Sequence, residues 1–182
     1  EKLFSEIVCQ EYWAERGLKT AIARFHNVYG PYGTWDGGRE KAPAALCRKV
    51  VEARDNGSLA VEIWGDGTRT RSFMWIGDCL EGIDRIMHCD ELVATPINLG
   101  SSELVSINEL LAIIERIAGV KVERRYDLTQ PLGVGGRNSD NTMIKRVLGW
   151  EPSTPLRDGL AKTYAWIAEQ YEARKAGKKV VL

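Results

Sequence analysis

The stretch that most constrains this chain runs from Arg24-Phe25-His26-Asn27-Val28-Tyr29-Gly30-Pro31 to Gly37-Gly38-Arg39-Glu40-Lys41-Ala42-Pro43. The apolar run ending at Phe25 reads as a strand covered on both faces. Gly30, Gly33, Gly37 and Gly38 then make residues 26–42 a long loop. Pro43 suits the first turn of a helix, where its missing N–H is no loss. That helix continues through Ala44, Leu46, Cys47, Val50 and Val51. Loops longer than about 12–15 residues in compact domains are usually functional or disordered. Tyr29, Tyr32 and Trp35 argue against disorder here. In open α/β sheets ligands bind beyond the carboxyl ends of strands. The loop is therefore expected to floor a small-molecule site.

The flanking patterns fit an α/β chain. Leu3, Phe4, Ile7, Val8 and Tyr12 recur at helical spacing over residues 1–17, with Gly17 as a stop. Val61–Trp64 alternates as a strand, Gly65-Asp66-Gly67 turns, and Arg69 to Trp75 reads as one further strand. Asp78 is expected to cap a helix over Leu80, Ile83, Ile86 and Met87. Pro96 to Gly100 is another apolar strand. Ser106 and Glu109 have the spacing of a capping box, opening a helix that ends at Gly119. Val120 to Tyr126 reads as a strand. Residues 129–141, with Gly133, Gly135 and Gly136, read as a second loop, and Asn141 as the cap of a short helix. A final helix spans Leu156 to about Arg174, followed by a frayed Lys-rich tail. Buried strands separated by helices imply a parallel sheet. The chain starts at Glu1, without methionine and inside a helical pattern, so a preceding segment is expected.

Composition excludes several classes. Lys+Arg and Asp+Glu are both 25, leaving no basic excess for a nucleic acid. No run approaches the ~20 apolar residues of a membrane span. Cys9, Cys47, Cys79 and Cys89 form no CxxC pair and, with two histidines, make a poor zinc set. They read as reduced thiols in a cytoplasmic protein. No GxGxxG stretch occurs, and Gly135-Gly136 does not link a strand to a helix as a dinucleotide loop would. No Ser-His-Asp logic is readable, and His26 and His88 read as structural.

A few residues could carry chemistry. Lys41 stands just before a helix N-terminus, where the dipole disfavours its charge. Desolvation there would also favour a usable proton donor. Position alone favours a solvated surface lysine over that role. Alternation puts Arg69 and Arg71 on one strand face, where two guanidinium forks can grip a diphosphate or simply face solvent. Arg137 lies in a polar, glycine-rich loop suited to an anion. Asn27 sits just past a strand end and can meet a ligand or serve the turn. Lys49 reads as a surface residue of the Pro43 helix.

These residues also carry a resemblance. The stretch from Arg24 to Pro31, Trp64-Gly65-Asp66-Gly67 and Arg71-Ser72-Phe73 resemble the C-terminal half of extended short-chain dehydrogenase/reductases acting on nucleotide sugars. The string from Gly33 through Gly37-Gly38-Arg39-Glu40-Lys41-Ala42-Pro43 to Ala45, with Gly136-Arg137-Asn138-Ser139-Asp140-Asn141, is similar to the GDP-mannose 3,5-epimerase family. The likeness runs to about residue 170. Glu1-Lys2-Leu3 resembles the end of that family's Tyr-x-x-x-Lys motif, whose tyrosine would precede Glu1. Two departures stand out: Arg69 replaces a common Gln, and Val134-Gly135-Gly136-Arg137 replaces Val-Arg-Gly-Arg.

The resemblance implies the C-terminal part of an extended Rossmann-type α/β fold. Residues 1–30 would end an NAD-binding domain. Residues 31–182 would mainly form a smaller nucleotide-sugar-binding domain, with the strand near 95–100 returning to the Rossmann sheet. It implies an isomerase that uses NAD to oxidise C4 of GDP-mannose transiently, with proton exchange at C3 and C5. Lys41 would be the acid of a cysteine–lysine pair whose cysteine lies outside this chain. Asn27, Glu40, Lys41, Ala42, Lys49, Arg69, Thr70, Arg71 and Arg137 would contact substrate. Lys2, which supports the missing tyrosine, and Phe25 would contact the cofactor. A homodimer, a cytoplasmic location and no metal complete the expectation, with the chain alone inactive. A 4-epimerase or dehydratase of the same superfamily, or a non-catalytic nucleotide-sugar-binding module, are the alternatives.

Overall fold

The computed structural model describes residues 1–130 and 134–180. Helix α1 (Lys2–Arg16) ends on Gly17 at φ 64°, a left-handed stop suited to glycine. Strand β1 (Ile22–Phe25), strand β2 (Val28–Tyr29) and helix α2 (Ala42–Asp55) follow. Next come β3 (Ala60–Trp64), β4 (Thr70–Ser72), β5 (Met74–Trp75) and α3 (Ile76–Met87). Strand β6 (Pro96–Leu99) and β7 (Leu104–Ser106) lead into α4 (Ile107–Ala118). The chain closes with β8 (Glu123–Asp127), β9 (Gly136–Arg137), α5 (Thr142–Leu148) and α6 (Leu156–Lys175).

Parallel pairing dominates, as the spacing of apolar strands and helices implied. β1 pairs with β6, β2 with β5 and β3 with β8, all parallel. β4 lies between antiparallel β7 and parallel β9. Two apolar cores result. The smaller packs Cys79 and Ile86 of α3 and Ile144 of α5 on Ile97 and Leu99 of β6. The larger joins α2, α4 and α6 over β3, through Val50, Leu110, Ile114, Leu160 and Ile167. Burying one such side chain contributes roughly 1.5–3 kcal/mol. The capping box forms: Ser106 Oγ accepts from Glu109 N–H at 3.1 Å, and Glu109 Oε2 accepts from Ser106 N–H at 2.7 Å.

Several expectations need correction. The first strand is shorter and less covered than its apolar run suggested: among the described residues it pairs with β6 alone, and Phe25 is half exposed. The long loop contains β2. The segment 69–75 is two strands in different sheets, because Phe73 between them turns into the larger core. Asp78 caps nothing on its own helix; its carboxylate accepts from Ser153 N–H, Thr154 N–H and Thr154 Oγ1. Asn141 stands at the N-cap of α5, but its side chain donates to Gly100 O instead. The second loop contains β9, and Gly133 lies outside the described residues. The tail folds back: Lys178 N–H donates to Ala173 O and Val180 packs on the larger core. α1 buries none of its residues within this chain, so Leu3 and Phe4 stand exposed.

The two cores meet where α6 crosses β2 and β5. Buried Tyr29 donates its hydroxyl to Leu156 O at 3.1 Å, and Gly159 lies directly beneath it. A Cβ at residue 159 would overlap the Tyr29 hydroxyl and stand 2.9 Å from Trp75 Cε3. Gly159→Ala is therefore expected to destabilise the protein by about 1–3 kcal/mol of overpacking strain. That loss exceeds the roughly 1 kcal/mol of helix propensity gained. Urea unfolding of the two proteins measures the difference.

Candidate functional site

The loop before α2 is built around two residues that only glycine adopts easily. Gly37 and Gly38 have φ of 96° and 84°. Their N–H groups are not left to water alone. Gly37 N–H donates to Asp36 Oδ1 at 2.8 Å, and Gly38 N–H to Glu40 Oε2 at 2.7 Å. Trp35, just before them, is wholly buried.

Two arginines from different helices hold this loop. Arg48, in α2, donates Nε to Trp35 O at 3.2 Å and Nη2 to Glu40 Oε1 at 3.1 Å. Its Nη1 bonds both oxygens of Glu52, and its Nε lies 3.3 Å from Asp36 Oδ1. Arg174, near the end of α6, bonds the other Asp36 oxygen at 2.5 Å and stacks 4.6 Å from the centre of the Trp35 ring. Burial pushes the Asp36 and Glu40 carboxyls up. The Arg174 and Gly37 bonds on Asp36, and the backbone and Arg48 bonds on Glu40, outweigh it and hold both below their ordinary values. Burial likewise disfavours the Arg48 charge, but its carboxylates win and raise its pKa.

This clamp presents Lys41 at the N-cap of α2, with φ −78° and ψ 157°. The Lys41 side chain is exposed. Among the described residues it has neither a hydrogen bond nor an ion pair. Lys2, Arg69 and Arg137 share that property. Lys49 does not: its ammonium donates to Glu62 O at 2.9 Å, tying α2 to β3. Ala42 starts α2 and is half-buried against the larger core.

A cavity of about 510 Å³ lies between α1, β1 and β9. Lys2, Phe25 and Arg137 line it together, beside Ser5 and Cys9. Arg24 and Glu6, also on its wall, form a two-bonded ion pair at 2.8 and 2.5 Å. Arg71 and Arg137 are register partners in β4 and β9, so they project from one face. Arg71 also donates to Thr70 O. Arg69 precedes β4 and reaches over Gly135, where an added Cβ would sit 3.4 Å from its Nη1. Asn27 donates its Nδ2 to Ser72 O, and its own carbonyl accepts from Met74 N–H. It thereby ties the β1–β2 link to the β4–β5 link. Burial, and then Arg137, push the His26 imidazole below its usual value, favouring the neutral ring.

The structure thus gathers Lys2, Phe25 and Arg137 in one cavity, and Arg69, Thr70 and Arg71 beside Arg137. Sequence reasoning missed Asp36, Arg48 and Arg174. The Arg48–Glu52 spacing is legible as a helical pair. The Asp36–Arg174 bond spans 138 residues and leaves no local signal. Among the described residues no three metal-ligating side chains converge, and no helix is long and apolar enough to cross a membrane.

Residues 1–100 match the family described as NAD dependent epimerase/dehydratase. The chain is 48% identical over 175 residues to GDP-mannose 3,5-epimerase 1 of Oryza sativa subsp. indica, covering 96% of this chain and 44% of that protein. It is 47% identical over 176 residues to GDP-mannose 3,5-epimerase of Arabidopsis thaliana, covering 97% and 45%. The chain thus spans less than half the length of these relatives. Among solved structures, UDP-glucuronic acid 4-epimerase of Bacillus cereus, in complex with UDP-glucuronic acid and NAD, superposes with a TM-score of 0.78. It is 27% identical, over 92% of this chain and 51% of that one.

The depressed Asp36 and Glu40 carboxyls fix the acid response of the loop. Unfolded, each binds its proton at a higher pH than when folded, so the clamp's contribution is complete above the ordinary carboxylate range of about 4. It is lost as pH falls through the lower folded values. Asp36→Asn is expected to flatten the fall of Tm with pH below about 4 relative to wild type. Calorimetric melts across that range check the slope.

Proposed function

The chain belongs to the NAD dependent epimerase/dehydratase family, and on that premise we propose that it is the substrate-binding half of a nucleotide-sugar epimerase that converts GDP-mannose by inversion at C3 and C5. The observation that carries this reading is Lys41: an unpaired ammonium at a helix N-cap, on a loop clamped by two arginines. The plant relatives, at 47–48% identity over nearly the whole chain, support the substrate and reaction. The whole protein would be longer than this chain and would bring the dinucleotide loop and the tyrosine of the Tyr-x-x-x-Lys motif.

Lys2 and Phe25, on the shared cavity wall, are the residues of this chain suited to hold NAD. When bound, NAD would supply transient oxidation at C4 of the sugar. The hydrogens at C3 and C5 are then acidic. A base from outside this chain removes one. Lys41 Nζ delivers a proton to the same carbon on the opposite face, and its exposure lets it recover that proton from solvent. Arg69, Arg71 and Arg137 supply the positive charge for the diphosphate, with Arg69 covering the space above Gly135. Asn27, Glu40, Ala42, Lys49 and Thr70 complete the substrate contacts.

We place the end of an NAD-binding domain in residues 1–30, joined by β6, and a sugar-binding domain in most of 31–182. Two separate apolar cores support that division, the smaller one including β6. α3 and α5 pack with the smaller core and belong with the first domain. The uncovered apolar stripe of α1, with Leu3 and Phe4 exposed, supports a homodimer in the whole protein. Four free cysteines support a cytoplasmic location.

The likeness to a UDP-glucuronic acid 4-epimerase favours a second reading, inversion at C4 only. That reaction needs no proton donor to carbon, so Lys41 separates the two. The full-length protein, given GDP-mannose in heavy water, is expected to place deuterium at C3 and C5. Absence of deuterium from both overturns the first reading. Lys41→Ala should lower wash-in by about 10²–10⁴. Undiminished turnover in that variant would favour the 4-epimerase.

A further inference from the structure

We propose that Arg48 and Arg174 are positioning residues for Lys41, acting through Asp36 and Glu40; the inference rests on the reading of Lys41 as the proton donor. Trp35 anchors the loop in the larger core, but the two glycines beyond it have little else to fix them. Gly37 and Gly38 are exposed and carry no side chains to pack, and glycine is the residue with most backbone freedom to lose. What orders them is a chain of charged contacts. Arg48 grips Glu40 through Oε1, and Oε2 of the same carboxylate takes the Gly38 N–H. Arg174 grips Asp36 through Oδ2, and Oδ1 takes the Gly37 N–H. Arg48 thus reaches Gly38 through Glu40, and Arg174 reaches Gly37 through Asp36, which Arg48 Nε also approaches at 3.3 Å. Lys41 follows Glu40 directly, so its backbone is set by the end of that chain.

Holding the helices together does not require these contacts. α2 and α6 already pack through wholly buried Val50, Leu160 and Ile167. The charged cluster lies beyond that apolar seam, at the end of α6 facing the loop. Arginine suits both positions. Arg48 addresses Trp35 O, Asp36, Glu40 and Glu52 at once, which a lysine ammonium cannot do in a fixed plane. Arg174 uses its flat face on Trp35 and its edge on Asp36. Near-attack geometry is sensitive to such support: a misplacement of ~1 Å from a remote change costs about 10²-fold in rate.

The test uses the full-length protein with Arg48→Lys, Arg174→Ala and Arg174→Lys. Arg174 is the safer site, since it is partly exposed and its loss leaves no carboxylate without an arginine. Hydrogen exchange of the Gly37 and Gly38 amides reads the clamp directly, because those N–H groups are its terminal donors. Exchange is expected to quicken about tenfold or more in Arg48→Lys and Arg174→Ala, with the α2 and α6 amides unchanged. The rate kcat for deuterium entry at C3 and C5 should fall about 10–100-fold with KM within about threefold. Arg174→Lys should recover part of both, keeping the Asp36 pair without the stacking. Unchanged exchange at Gly37 and Gly38 overturns the clamp. Quicker exchange with unchanged kcat overturns positioning while the proton-donor reading stands. No wash-in from wild type overturns that reading and the catalytic consequence with it, while exchange still decides the clamp.

Discussion

The guanidinium of Arg48 is the contact on which the site depends. It satisfies a backbone carbonyl and three carboxylates within a half-buried space. Each of those carboxylates alone would be costly there, since a buried charge needs a partner and hydrogen bonds. Their bonds hold the Asp36 and Glu40 carboxyls below their ordinary values. The cluster converts a glycine-rich loop, which has little intrinsic order, into a defined approach to α2. Because Arg174 reaches the same cluster from α6, the last long helix of the chain is coupled to a loop near its beginning. The apolar seam between α2 and α6 sets the distance that makes this coupling possible.

The two cores explain where the other candidate residues lie. Met74 of β5 packs in the smaller core and Phe73, one residue earlier, in the larger. The segment 69–75 therefore crosses from one core to the other, and Asn27 fastens the crossing by its bond to Ser72 O. Arg69 and Arg71 sit on the approach to that crossing, with β9 bringing Arg137 alongside. Arg137 also faces the cavity shared by Lys2 and Phe25. The residues proposed for the cofactor and those proposed for the substrate thus meet through β9, a strand of two residues.

Legibility followed the range of the interactions. The Ser106–Glu109 box, the stops at Gly17 and Gly119, and the alternation of β3 are local, and each is present. β2 and β9 are two residues long and exist only through partners far along the chain, so no periodicity marks them. Asp78 looked like a cap because it precedes the apolar periodicity, but the helix starts two residues earlier at Ile76, and three donors at residues 153 and 154 take its carboxylate. The clamp joins residues too distant for any motif. Lys41 itself was ambiguous by position and became a candidate through resemblance of the surrounding string. The departures at Arg69 and Gly135 were visible as substitutions, yet only the fold shows the Arg69 guanidinium lying over Gly135.

The charge pattern around Lys41 has one further consequence. The carboxylate nearest in sequence is Glu40, and an adjacent lysine and glutamate would ordinarily be free to pair. Here both oxygens of Glu40 are taken, one by Arg48 and one by the Gly38 N–H. Asp36, the next carboxylate in the loop, is taken in the same way by Arg174 and Gly37. The clamp therefore does two things with one set of bonds: it fixes the backbone of the loop, and it removes the local anions that would neutralise the ammonium. Lys41 is left as an exposed ammonium with no carboxylate of its own loop to pair with. Arg48 thus acts both on the loop leading to Lys41 and on the carboxylate beside it.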